Sequence, residues 1–87
     1  MKSATLPSFW DAYFRLDAQT KKSAKKAYKP WSENSFYPSL HLKCINDVED
    51  IWSVRITLNY RAIGALAGDT VTWFWIGSHD EYEKYFG

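Results

Sequence analysis

Apolar residues in the first third of the chain recur at helical intervals. Phe9, Trp10, Tyr13 and Phe14 stand at i, i+1, i+4 and i+5, and Pro7 and Ser8 precede them as entry residues, which predicts a short first helix. Asp17 follows Leu16 as a candidate N-cap. Beyond it Ala18, Ala24, Tyr28 and Trp31 can share one face while lysines take the others. A second helix is therefore predicted from about residue 18 to residue 29, with Pro30 tolerated only near its end. So brief a join makes the two an antiparallel hairpin.

The stretch WSENSFYPS, with Asn34, Pro38 and three serines, is turn-like, and after it the period falls to two. In LHLKCI, Leu40, Leu42 and Cys44 alternate with His41 and Lys43; in IWSVRITL, Trp52, Val54, Ile56 and Leu58 alternate with Ser53, Arg55 and Thr57. Both read as half-buried strands, joined by the acidic loop NDVED. YRAIGALA is a third strand, and Gly68-Asp69 fits a two-residue type II′ turn into a fourth, TVTWFWI. That last strand is apolar on both faces, which suits a central or covered position. The layout is α+β: two N-terminal helices packed on one face of a small, mainly antiparallel sheet of about four strands, then a short C-terminal helix. The other sheet face carries His41, Lys43, Ser53, Arg55 and Thr57, so it is polar and basic and open to a ligand.

Composition narrows the class. A chain of 87 residues supports one small core, read here as a single domain over residues 1–87. Five Trp, six Tyr and five Phe supply that core, since each buried ring removes roughly 150–250 Å² from water. Cys44 is alone, which excludes an internal disulfide and fits a reducing cytoplasm, and no signal-type or membrane-length apolar run occurs. The net charge of +1 conceals an asymmetry: residues 1–46 carry eight basic residues against three acids, and residues 47–87 carry three against seven. Five of the basic residues form one run, Lys21, Lys22, Lys25, Lys26 and Lys29, so the electrostatic footprint is local. His41 and His79 are the only imidazoles, no carboxylate spacing completes a metal set, and the scattered glycines form no phosphate loop. Neither a metal nor a cofactor is expected. The alternation of Cys44 with Leu40 and Leu42 places it in the core rather than at a nucleophile's position.

The chain's end is the most informative stretch. Ser78 and Glu81 form S-x-x-E, a capping box, directly after the last strand, so His79 occupies the first helical position and Tyr82 lies one turn on. The helix dipole favours a neutral imidazole there and Asp80 and Glu81 favour a charged one, so His79 can exchange a proton at neutral pH. A histidine at a helix start is nevertheless more often a capping or surface residue than a catalyst, and a set such as Tyr82, Tyr85 and Phe86 is more often still the apolar face of the helix. Arg55 and Arg61 lie within strands, where each needs either an anion or a carboxylate partner.

PSLHLKCIN, WSVRITLNYRAIG and WFWIGSHDEYEKYF, in this order after a helical hairpin, resemble the RelE/ParE superfamily of toxins from bacterial type II toxin–antitoxin pairs. The resemblance covers nearly the whole chain and implies a small sheet with two helices on one face. It also implies one of two activities. RelE-like members are metal-independent endoribonucleases that cut messenger RNA at the ribosome by attack of a ribose 2′-hydroxyl on the adjacent phosphate; ParE-like members poison DNA gyrase without catalysis. For cleavage, the resemblance makes His79 the general acid or base and Tyr82 the residue that orients the substrate or stacks on a base. Arg61 and Arg55 then hold the scissile phosphate, with Lys43 and His41 as further RNA contacts. The lysine run, Lys22 and Lys26 within it, is either a solvated helix face or a contact for ribosomal RNA or an acidic antitoxin. The implied partners are a cognate antitoxin with the ribosome and mRNA, or with gyrase instead. A third reading is a RelE-fold protein without toxicity that acts only in its antitoxin complex; near-neutral charge and the acidic loop Asp47, Glu49 and Asp50 favour it.

Overall fold

The computed structural model describes residues 2–33 and 40–87. The elements are β1 (Lys2–Thr5), α1 (Pro7–Phe14), α2 (Ala18–Glu33), β2 (Lys43–Asn46), β3 (Ile51–Thr57), β4 (Tyr60–Ala67), β5 (Thr70–Ser78) and α3 (His79–Phe86). The helical hairpin forms where the aromatic spacing places it. Pro7 opens α1, where its missing N–H forgoes no helical bond, and the Ser8 hydroxyl donates to the Phe74 carbonyl at 2.7 Å, tying the helix to β5. Asp17 caps α2: its carboxylate accepts the Thr20 backbone N–H at 2.7 Å.

Three elements, α2, β1 and β2, differ from the sequence expectation. The second helix does not end at residue 29 but continues through Pro30 to Glu33, so the first part of WSENSFYPS is helical. The remainder, residues 34–39, lies outside the described residues. Trp31 accounts for the extension. It is 3% exposed and meets Trp73 edge-on at 5.2 Å, and burying such a ring is worth roughly 4–6 kcal/mol, more than the ~3 kcal/mol cost of an interior proline. The second difference is a fifth strand. β1 has no apolar alternation and is exposed along its length, so pattern alone does not reveal it. It is held by backbone pairing in parallel with β5 and by the Trp73 indole N–H, which donates to the Ser3 hydroxyl at 2.9 Å.

The sheet order is β1-β5-β4-β3-β2, antiparallel except for the β1–β5 pair, so β5 occupies the interior position its apolar faces require. Gly68 turns the β4–β5 hairpin at φ +61°, as the two-residue turn demands. β2 is shorter than the pattern indicates, beginning at Lys43, because His41 takes φ +46° and breaks the extended run; Leu40 is still buried in the core.

A bulge in β5 sets the layers. Ile63 pairs with Trp75 and Gly64 with Trp73, so Phe74 is the extra residue. Trp73 and Ile76 therefore both face the helices, where they join Tyr13, Trp31, Leu40, Val54, Ala62 and Val71 in the core. Trp75 faces the opposite side. There Phe86 of α3 packs on it at 5.3 Å and on Phe74 at 6.2 Å. The second face is thus partly covered by α3 rather than fully open, and Ile63 and Ser53, which share it by register, are buried.

Truncating Trp31 to alanine is expected to lower stability by about 3–5 kcal/mol, read as a fall in the urea midpoint. The Asp17 carboxyl is held below its ordinary value by its bonds from the Thr20 backbone and hydroxyl. A depressed folded value means the cap stabilises fully above the unfolded carboxylate range and is lost as pH falls through the folded value. Asp17→Ala should therefore melt a few degrees lower than wild type at pH 7, and the difference should shrink as the pH is taken below about 4.

Candidate functional site

Cross-strand register assembles the site on the face opposite α1 and α2. Arg55 on β3 stands directly across from Arg61 on β4, and Arg61 directly across from Gly77 on β5. One step along the strands, Lys43, Ser53, Ile63 and Trp75 form a second row on the same face. Like charges directly opposed across strands destabilise a sheet unless something neutral or negative intervenes. Among the described residues neither arginine forms an ion pair, so the carboxylate alternative left open by the sequence is not realised. The Arg61 Nε and the Ser53 hydroxyl are buried with no hydrogen-bond partner. Buried orphan donors are uncommon, and these two lie on the face that carries both arginines.

Each arginine is held by a different neighbour. The Arg55 guanidinium lies 3.3 Å from His41 Nε2. Since arginine only donates, Nε2 stands as the acceptor in this contact. The Arg61 guanidinium lies 5.5 Å from the centre of the Tyr82 ring. Tyr82 in turn stands 6.1 Å from His79 and 6.0 Å from Phe86, so its ring links the imidazole to the arginine.

The start of α3 places His79. The Ser78 hydroxyl accepts the Glu81 N–H at 3.2 Å and the Glu81 carboxylate accepts the Ser78 N–H at 3.3 Å, completing the capping box expected from S-x-x-E. His79 N–H donates to the Asn59 carbonyl at 2.6 Å, which anchors the helix start to the β3–β4 turn. The ring is half-exposed, with Nε2 3.4 Å from the Glu83 carboxylate. Gly77 is required here because the Trp75 ring lies where its Cβ would be.

The structure brings together His79, Tyr82, Arg61, Arg55, His41 and Lys43. It does not bring Lys22 and Lys26 to them: both are exposed on α2, across the sheet from Arg55. The acidic loop between β2 and β3 also falls away from the site. Asp50 precedes β3 and Arg55 lies five positions further along, roughly 16 Å at strand rise, so the loop acts on the arginines from beyond a Debye length. Ser53 is the site residue that alternation placed on the correct face but marked no further. Its signal, a small hydroxyl two positions from Arg55, acquires meaning only from its burial.

A family model described as a ParE-like toxin domain matches residues 18–84. The chain belongs to the ParE-like toxin family. Solved structures agree on the fold. The YoeB/ParE toxin from Agrobacterium tumefaciens aligns at a TM-score of 0.68 with 22% identity, over 91% of this chain and 99% of that one. A chain of the RelB–RelE antitoxin–toxin complex from Methanococcus jannaschii aligns at 0.76 with 19% identity, over 97% and 99%. The YoeB dimer from Staphylococcus aureus aligns at 0.65 with 14% identity, over 91% and 97%. Comparison with curated protein sequences gives no match. At these identities the structures show a shared fold, and residue roles in this ParE-like toxin rest on its own geometry.

The Tyr82–Arg61 contact is directly testable. The Arg61 Nε–H should resonate with a ring-current shift in a 15N-resolved NMR spectrum, and Tyr82→Leu should abolish that shift while lowering stability by only about 0.5–1 kcal/mol.

Proposed function

We propose that this ParE-like chain is the toxin of a type II toxin–antitoxin pair and acts as a metal-independent, ribosome-associated endoribonuclease on messenger RNA. The observation that carries the reading is the pair of guanidiniums, unpaired with any described carboxylate, beside a half-exposed histidine linked to Arg61 through Tyr82.

The chemistry needs a phosphate held by cations and a group that moves a proton. The ribose 2′-oxygen attacks the adjacent phosphorus as its proton leaves to a base. The bond from phosphorus to the 5′-oxygen of the next nucleotide breaks, and that oxygen takes up a proton. A 2′,3′-cyclic phosphate and a 5′-hydroxyl result. Guanidiniums stabilise the charge that gathers on the non-bridging oxygens, and His79 transfers the proton. Tyr82 carries Arg61 on its ring, so its first task is to position that guanidinium, and its exposed edge remains for a nucleotide. A cognate antitoxin completes the system by restraining the toxin; the RelB–RelE complex sharing this fold supports such a partner.

The test is induced expression in a bacterial host with primer extension on an abundant transcript. Wild type should give cuts at codon-related positions; His79→Ala should reduce them by about 100-fold or more and Arg61→Ala comparably. Growth arrest with intact transcripts would assign the chain to gyrase inhibition instead. Absence of arrest from folded protein would assign it to the antitoxin complex alone.

A further inference from the structure

On the face away from the arginines, α1 and α2 cover the sheet incompletely. α2 turns Ala24, Ala27 and Trp31 toward α1, at i, i+3 and i+7. Because two of these three side chains end at Cβ, a cavity of about 480 Å³ is left between them, Trp10 of α1 and Trp73 of β5. Packed cores leave few voids larger than a water molecule, whereas small-molecule sites occupy about 300–1,000 Å³.

Hydrogen-bond accounting sets one wall apart. Three indoles line the cavity, and β1 satisfies two of them: Trp10 Nε1 donates to the Thr5 hydroxyl at 2.9 Å and Trp73 Nε1 to the Ser3 hydroxyl at 2.9 Å. Trp31 Nε1 is buried with no partner, on a residue only 3% exposed. The Tyr28 ring stacks on this indole at 5.9 Å and Trp73 meets it edge-on, so the ring is fixed while its donor stays open. A buried donor without an acceptor opposes folding until one arrives. A docked helix would not supply it, because its carbonyls are already bonded within the helix. The charge beside the cavity has one sign. Lys25 lines it and is exposed, and among the described residues no lysine of α2 pairs with a carboxylate.

We propose that this cavity binds a small aromatic carboxylate bearing a carbonyl-type acceptor. The flat ring lies between Trp10 and Trp31, the acceptor oxygen takes the Trp31 N–H, and the carboxylate meets Lys25 at the solvent side. The site lies across the sheet from Arg55 and Arg61 and does not depend on the nuclease reading.

Calorimetric titration of the full chain with 6-acetyl-2-naphthoate tests this, with 2-naphthoate, which lacks the acceptor, and 2-acetylnaphthalene, which lacks the charge, as companions. The first should bind saturably at one site, the second about tenfold and the third about threefold more weakly. Trp31→Phe keeps a ring and removes the donor; it should weaken 6-acetyl-2-naphthoate about tenfold and leave 2-naphthoate as in wild type, a selectivity that a merely structural change would not produce. Ala27→Leu fills the cavity and should abolish binding of all three, with circular dichroism melts establishing that both variants are folded. Equal loss of the two naphthoates in folded Trp31→Phe, or binding that survives Ala27→Leu, would overturn the proposal. Absence of saturable binding by folded wild type would overturn it as well, and sedimentation of the free chain as a dimer that Ala27→Leu dissociates would give the groove to a second copy instead.

Discussion

The bulge at Phe74 is the constraint on which the molecule depends. A regular strand presents alternate residues to opposite faces, so Trp73 and Ile76 would point to opposite sides of the sheet. The extra residue resets the alternation, and both side chains enter the core beneath α1 and α2 while Trp75 anchors α3 on the opposite side. One nine-residue strand thereby supports two apolar layers. α3 has no fully buried residue of its own, so its position follows from aromatic contacts with Phe74 and Trp75, its capping box and its bond to Asn59.

The site inherits its geometry from that arrangement. Because α3 is docked on Trp75, Tyr82 comes to rest against Arg61 rather than in solvent, and His79 is fixed at the sheet's end beside the β3–β4 turn. The arginines themselves are placed by register. A cross-strand pair of like charges opposes folding, and the sheet carries this one without a described carboxylate to offset it.

Charge distribution takes on meaning in the same frame. A formal charge of +1 suggests an unremarkable surface, but the cations and anions are segregated by the fold. The acids of the β2–β3 loop lie at the end of the sheet away from Arg55, and the Asp50 carboxylate is occupied locally, accepting the Trp52 indole N–H at 2.9 Å. The lysine run of α2 lies across the sheet and is separate from the arginine face. The near-neutral total thus says little about either surface.

Much of the fold is legible in the amino-acid sequence. Aromatic spacing marks the helical hairpin, the Asp17 cap and the S-x-x-E box mark two helix starts, and alternation from Trp52 to Leu58 puts Arg55 on the face away from the helices. These are local properties, fixed by backbone periodicity and by hydrogen bonds between residues three or four apart. Three features lie beyond the reach of local pattern. β1 forms by backbone pairing with a strand some seventy residues away and leaves no apolar signature. The helix persists through Pro30 because Trp31 finds Trp73 across the core. Two paired arginines have separate partners, His41 and Tyr82, which come from distant parts of the chain. The sequence by itself determined the helical hairpin, the central strands with their faces and the chemical types at the site; tertiary structure decided the fifth strand, the bulge and the partner of each guanidinium, because those depend on which distant side chains compete for the same space and the same charge.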